Sequence, residues 1–216
     1  MPDSGRYRFD HRGLDHDTDH AASCVPAHRG HPGPVPSTPT LLTVGHGTAT
    51  QEELVEILTG AGVTLLVDVR RFPASRRHPH VARDELAGWL PPHGVAYRWE
   101  PRLGGRRQVA GDGPPADPWW QVEAFRAYAA HMRTGEFGDA MADLLADVRD
   151  PRPGRTAVLC SETVWWRCHR RLISDAAVLL HGTPVLHLAH DGRLTPHPPA
   201  AGARVTPEGL RYDLPG

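Results

Sequence analysis

The chain has 216 residues, room for one core of ordinary size plus some unpacked tail. Its net charge of -1 excludes a global attraction to nucleic acid or anionic membrane, and its odd count of three cysteines does not read as a disulfide framework. Every Lys or Arg is Arg and there is no Asn, which excludes Schiff-base lysine, phosphate-loop lysine and Cys-His-Asn chemistry.

Residues 1–39 are rich in Asp, His, Pro, Gly and Arg without apolar period, so a disordered tail is expected. Its histidines (His11, His16, His20, His28, His31) read as solvated, and Cys24 has no local partner. No basic-then-apolar secretory signal and no run of about eighteen apolar residues occurs, so the expectation is a cytoplasmic protein without membrane contact.

Residues 40–190 read as one α/β domain. Leu41-Leu42-Thr43-Val44 is a buried strand ending in Gly45-His46-Gly47. Thr50 starts a helix, with Glu53 three residues on as a capping-box partner. Val63–Val69 is an apolar strand of the parallel-sheet type, giving a βαβ unit. A basic loop, Arg70 to His78 with Ser75, precedes a short helix at 83–90 and a strand at 95–99. A Gly/Pro loop from Glu100 to Pro118 carries Leu103-Gly104-Gly105-Arg106-Arg107.

Helices are expected over 119–133 and 136–148, a fourth strand over 155–160, a helix opening at Cys168-His169-Arg170, and a fifth strand over 184–188. Residues 191–216, with an Asp191-Gly192 turn, add a hairpin or wrap the surface. Strands alternating with helices predict a three-layer α/β domain with a mostly parallel sheet of about five strands.

Chemistry concentrates at the expected strand ends, where open sheets bind ligands. Cys160 ends a strand and Arg167, His169, Arg170 and Arg171 follow, an environment that favours a thiolate. A small core hydrophobe is the competing reading. Glu162 and His169 are the proton-transfer candidates. Cys168 lies at the helix start, but its spacing of eight from Cys160 suits neither a thioredoxin-like pair nor a zinc half-site, so no metal is expected. The Cys160-to-Arg167 spacing and the bulky Trp165-Trp166 pair exclude a phosphotyrosine-phosphatase loop.

From Arg70 to Arg107 there are nine Arg and only three acidic residues. With the glycines at Gly45, Gly104 and Gly105 this predicts a local positive pocket for phosphate, carboxylate or nucleic-acid backbone. A solvated arginine surface is the bland reading, favoured for Arg76, Arg77 and Arg107. Trp119, Trp120, Phe125, Tyr128 and Met132 read as core.

In this order the motifs Thr43-Val44-Gly45-His46-Gly47, Val67-Asp68-Val69-Arg70 with Pro73 and Ser75, Leu103-Gly104-Gly105, the helix with Tyr128 and Met132, Leu159-Cys160-Ser161-Glu162 and Cys168-His169-Arg170 resemble the bacterial family called domain of unknown function 488. Trp165-Trp166 departs from that family's pattern. The resemblance implies a small cytoplasmic α/β domain and names no reaction.

The expectation that follows is an enzyme on a small anionic or nucleotide-like substrate, without a cofactor. Cys160, Glu162, His169 and Asp68 are its catalytic candidates. Gly45, His46, Arg70, Ser75, Gly104, Gly105, Cys168 and Arg170 are its substrate-binding candidates. A nucleic-acid-binding module using the basic loops, or a thiol redox sensor using Cys160 and Cys168, are the alternatives.

Overall fold

The computed structural model describes residues 38–108, 116–152 and 154–214. The expected tail, including Cys24 and the tail histidines, lies outside them apart from Thr38 and Pro39, as does the part of the Gly/Pro loop at 109–115. The architecture is three layers, α/β/α, around a six-stranded sheet.

Strand β1 (Leu41–Gly45) is buried throughout and leads to α1 (Gln51–Gly60). That helix starts where the capping box demands. Glu53 N donates to Thr50 Oγ1 at 3.2 Å and Thr50 N donates to Glu53 Oε2 at 2.8 Å. Then come β2 (Val63–Asp68), α2 (Arg83–Trp89), β3 (Ala96–Trp99), α3 (Glu123–His131) and α4 (Gly135–Val148). Strand β4 (Arg155–Cys160), α5 (Arg170–Leu179) and β5 (Val185–Leu188) complete the parallel part.

The order is β3-β2-β4-β1-β5-β6, where β6 (Leu194–Pro196) runs antiparallel on the edge. The sheet is thus one strand larger than the sequence reading, because Asp191-Gly192 turns the chain back on β5. A separate hairpin, β7 (Ala203–Thr206) and β8 (Gly209–Tyr212), follows.

Alternation along the strands divides the core. Leu42, Val44, Leu66, Ala157 and Leu159 face α1 and α2; Leu41, Val67 and Val158 face α3, α4 and α5. The link from β1 crosses β4 to reach β2, and the link from β4 crosses β1 to reach β5. Neighbours β1 and β4 therefore send their chains in opposite directions. This is the topological switch point at which open sheets form a crevice beyond the strand carboxyl ends.

One helix boundary differs from the sequence reading. Helix α3 begins at Glu123, four residues after Trp119. Trp119 N donates to Tyr212 O at 3.0 Å, and the Trp120 ring lies 5.1 Å from that of Tyr212. Asp117 accepts from both Arg133 and the Tyr212 backbone. Contacts with the C-terminal hairpin thus hold this segment in a turn outside the helix, against its helical propensity.

The α5 face also contains a buried polar chain. Thr43 Oγ1 bonds His187 Nδ1 at 2.7 Å, His187 Nε2 bonds His197 Nδ1 at 2.9 Å, and His197 Nε2 bonds Asp175 Oδ1 at 2.8 Å. Tyr212 donates to the other Asp175 oxygen at 3.0 Å. A carboxylate can only accept, so His197 donates from Nε2, His187 donates from its own Nε2, and Thr43 donates its hydroxyl proton. The chain joins β1, β5, α5 and the C-terminal hairpin with no unpaired group among its side chains.

Candidate functional site

Beyond the ends of β2 and β4 lies a cavity of about 230 Å³. Its walls include Cys160, Glu162, Cys168, His169, Gly105 and Arg70. Cys160 ends β4, with its side chain on the α5 face in step with Val158. The sulfur is 3.8 Å from His169 Nδ1.

The tautomer of His169 follows from its other contact. Nε2 lies 3.0 Å from the carbonyl oxygen of Val69, which only accepts, so Nε2 carries the proton and Nδ1 presents a lone pair to Cys160. His169 occupies the N-cap of α5 without a side-chain capping bond. A Ser, Thr, Asp or Asn there would stabilise the helix. This position has a ring turned to the cavity instead.

The two thiols sit in unequal fields. The Cys160 thiol is lowered to about 7 by a hydrogen bond from Cys168, by the Arg170 charge, and by the backbone N–H groups of Glu162 and Ser161, against the opposing effect of burial. The Cys168 thiol is pushed well above its usual range, by burial first and by Cys160 next. Of the two thiols, Cys160 is therefore the one that ionises first. His169 is lowered by burial and is neutral, a base rather than an acid at rest.

Arg170 builds the loop after Cys160. It is 1% exposed, and its Nε donates to Cys168 Sγ at 3.1 Å. Nη2 donates to the carbonyl oxygens of Glu162 and Thr163. Gly45 allows this close packing: a Cβ there would lie 1.8 Å from Glu162 O and 2.8 Å from Arg170 Nη2. Similarly, a Cβ on Gly105 would stand 2.8 Å from His169 Nδ1, and one on Gly104 would lie 2.8 Å from the Arg71 backbone.

Asp68, Arg70 and His46 form a second cluster on the α1–α2 side. Arg70 pairs with both Asp68 oxygens, donates to Val81 O at 2.8 Å, and approaches His46 Nε2 at 3.3 Å. Asp68 also accepts from Tyr97 OH at 2.8 Å. His46 is lowered to about 4, by burial and then by Arg70, and stays neutral. Of this group only Arg70 lines the cavity. Ser75 accepts from His78 N at 2.9 Å and shapes the basic loop.

The twelve candidates are thus distributed. Cys160, Glu162, Cys168, His169, Gly105 and Arg70 meet at the cavity. Gly45, Gly104 and Arg170 pack behind it; Asp68 and His46 hold Arg70; Ser75 is at none of these contacts.

Part of the wall comes from residues outside the twelve, among them arginines of the basic segments expected to form a positive pocket. Arg71, Arg106 and Arg167 line it together with Phe72, Phe125 and Tyr128. Arg106 has φ of 58°, the sole non-glycine residue with positive φ among the described residues. Such backbone conformations concentrate where a loop is held for function. Tyr128 is buried, donates to Leu103 O at 2.7 Å, and backs the His169 ring at 5.2 Å. Its i+3 spacing from Phe125 gives the same signal as a core stripe, so only the fold reveals the second role.

Ligand atoms of Cys160, Cys168 and His169 lie within 4.8 Å of one another, near enough to share a soft cation. Arg170 already occupies Cys168 Sγ, and Arg70, Arg71, Arg106 and Arg167 oppose a further positive charge. The surroundings suit a thiolate and an anion better.

Fold and site together define a three-layer α/β protein with a thiol–imidazole pair beyond the carboxyl ends of β2 and β4 in a mostly parallel sheet. A family model described as domain of unknown function DUF488 matches residues 50–177, more than half of the chain. The chain belongs to that family. Searches of curated proteins and of solved structures gave no match. Among the described residues no helix is long and apolar enough to cross a membrane.

Proposed function

We propose that the chain is a thiol-dependent enzyme of the cytoplasm that acts on a small anionic substrate with an electrophilic centre. One observation carries this reading: Cys160 Sγ faces the unprotonated Nδ1 of His169 inside an arginine-walled cavity. Cys160 is the nucleophile, and His169 takes its proton and returns it to the leaving group. Glu162, on the same wall, is the candidate base for the water that releases the product.

Arg71, Arg106 and Arg167 hold the anion, and Arg70 has one N–H left for it after its bonds to Asp68, Val81 and His46. The exposed Phe72 beside them suits a planar group, which favours nucleotide-like substrates.

A thermal-shift panel of phosphate and carboxylate metabolites tests it. A true ligand raises the melting temperature of the wild type and loses that effect in Arg106→Ala and Arg167→Ala. At a hundredfold excess over Kd the linkage is about 2.7 kcal/mol, large enough to read in a melt. Anions that shift all these proteins equally would argue against the pocket.

A further inference from the structure

We propose that a hydroperoxide converts Cys160 and Cys168 into a reversible disulfide that turns off the thiol chemistry, with Cys168 as the resolving residue. This rests on the reading of Cys160 as a reactive thiol. It adds a reaction in which Cys168, which that mechanism does not use, has a defined part.

The geometry supplies the parts. The two sulfurs are within 4.8 Å, and both residues are buried free cysteines. Cys160 opens onto a cavity large enough for a small peroxide. The intervening segment is largely exposed and contains only a short 3₁₀ turn, Trp165–Arg167. The Cys168 sulfur lies 3.7 Å from Trp165 O and accepts from Arg170 Nε at 3.1 Å.

The steps balance. The Cys160 thiolate attacks one peroxide oxygen, forming S–O and breaking O–O. The sulfur loses two electrons, and the other oxygen leaves as an alcohol, or as water, once protonated. Cys168 then attacks that sulfur, forming S–S and breaking S–O, and its thiol proton leaves with the oxygen as water. Two thiols and one hydroperoxide give a disulfide, an alcohol and water. The charge environment divides these roles: the more readily ionised sulfur faces the cavity, and its partner holds its proton more tightly.

The test uses the full chain in a Cys24→Ser background, reduced, exposed to hydrogen peroxide, capped and cut with trypsin. Cleavage after Arg155, Arg167 and Arg170 separates the cysteines, so the bridge joins Thr156–Arg167 to Cys168–Arg170. That linked pair is expected as the main oxidised product, and it disappears with dithiothreitol. In Cys168→Ala, Cys160 is expected to accumulate about tenfold more sulfinic acid, which dithiothreitol does not reverse.

Equal sulfinic acid with and without Cys168, and no linked pair, would overturn the proposal. If Cys168→Ala does not fold, Cys168→Ser replaces it, and the linked pair in the Cys24→Ser chain alone still decides. Iodoacetate labelling of the reduced protein needs no peroxide. Reactive Cys160 without a bridge therefore removes this inference alone, whereas inert Cys160 removes the enzyme reading.

Discussion

His169 Nδ1 stands 3.8 Å from Cys160 Sγ, with its lone pair aimed there because the opposite nitrogen is tied to the backbone at Val69. A histidine so fixed cannot exchange tautomers without losing a hydrogen bond in a half-buried site.

Alkylation should report this environment. The rate of Cys160 carboxymethylation by iodoacetate should rise with a midpoint near pH 7, below the usual thiol value of about 8.5. Removing the largest stabilising contact, by Cys168→Ala, should move the midpoint up. Iodoacetate should also outpace neutral iodoacetamide relative to a free thiol, because the arginine wall attracts the anion. An ordinary midpoint with no preference for the anion would contradict the site.

Arg170 should matter more for order than for binding. Its guanidinium serves Cys168 Sγ and two loop carbonyls from a buried position. Arg170→Met leaves those acceptors unpaired and should cost about 2–4 kcal/mol in urea unfolding. A cost below about 0.5 kcal/mol, the level of an ordinary surface substitution, would show that the loop holds its shape by other means.

Two glycines separate stability from reactivity. In Gly45→Ala the new methyl group meets backbone, which cannot swing aside, so a loss of about 3 kcal/mol or more is expected. In Gly105→Ala it meets the His169 ring, a side chain that can shift away only by straining its bond to Val69. That variant should fold nearly as well but label more slowly at Cys160. Melting curves beside labelling rates check the contrast, and equal effects on both would refute it.

Stability should fall in mild acid. His46 is lowered to about 4 and His187 to about 3, each by burial first; Arg70 adds to the shift of His46 and His197 to that of His187. Both are neutral when folded and titrate near about 6.5 when unfolded. Between about pH 6.5 and 4 the unfolded chain binds protons that the folded chain refuses. Their contribution is complete above pH 6.5 and declines as the pH drops through that window, by a few kcal/mol in all. A melting temperature flat from about pH 7 to 4.5 would exclude it.

The fold was readable where local signals and tertiary demand agree. The Thr50–Glu53 box, the apolar run of β2 and the strand-loop-helix from Arg155 to Leu179 all fall as the patterns require. The arginines were harder. In a chain whose Lys and Arg are all Arg, no neighbour distinguishes Arg170, locked under the loop, from Arg167 on the cavity wall three residues earlier. Arg70 owes its setting to Asp68 nearby but also to Val81 and His46, which the fold alone brings near. Trp119 and Trp120 reveal the same limit, since a hairpin about ninety residues later overrides their helical spacing.

The placement of β1 has a practical outcome. It lies between β4 and β5, yet it precedes the family-matched residues, and β5 follows them. An expression piece trimmed to residues 50–177 would lose the strands on one whole flank of β4, together with Gly45 beneath the Glu162 carbonyl. The stretch matched by the family model is therefore shorter than the part of this chain that packs around Cys160 and His169, and a trimmed piece that failed to fold would say nothing about the intact chain.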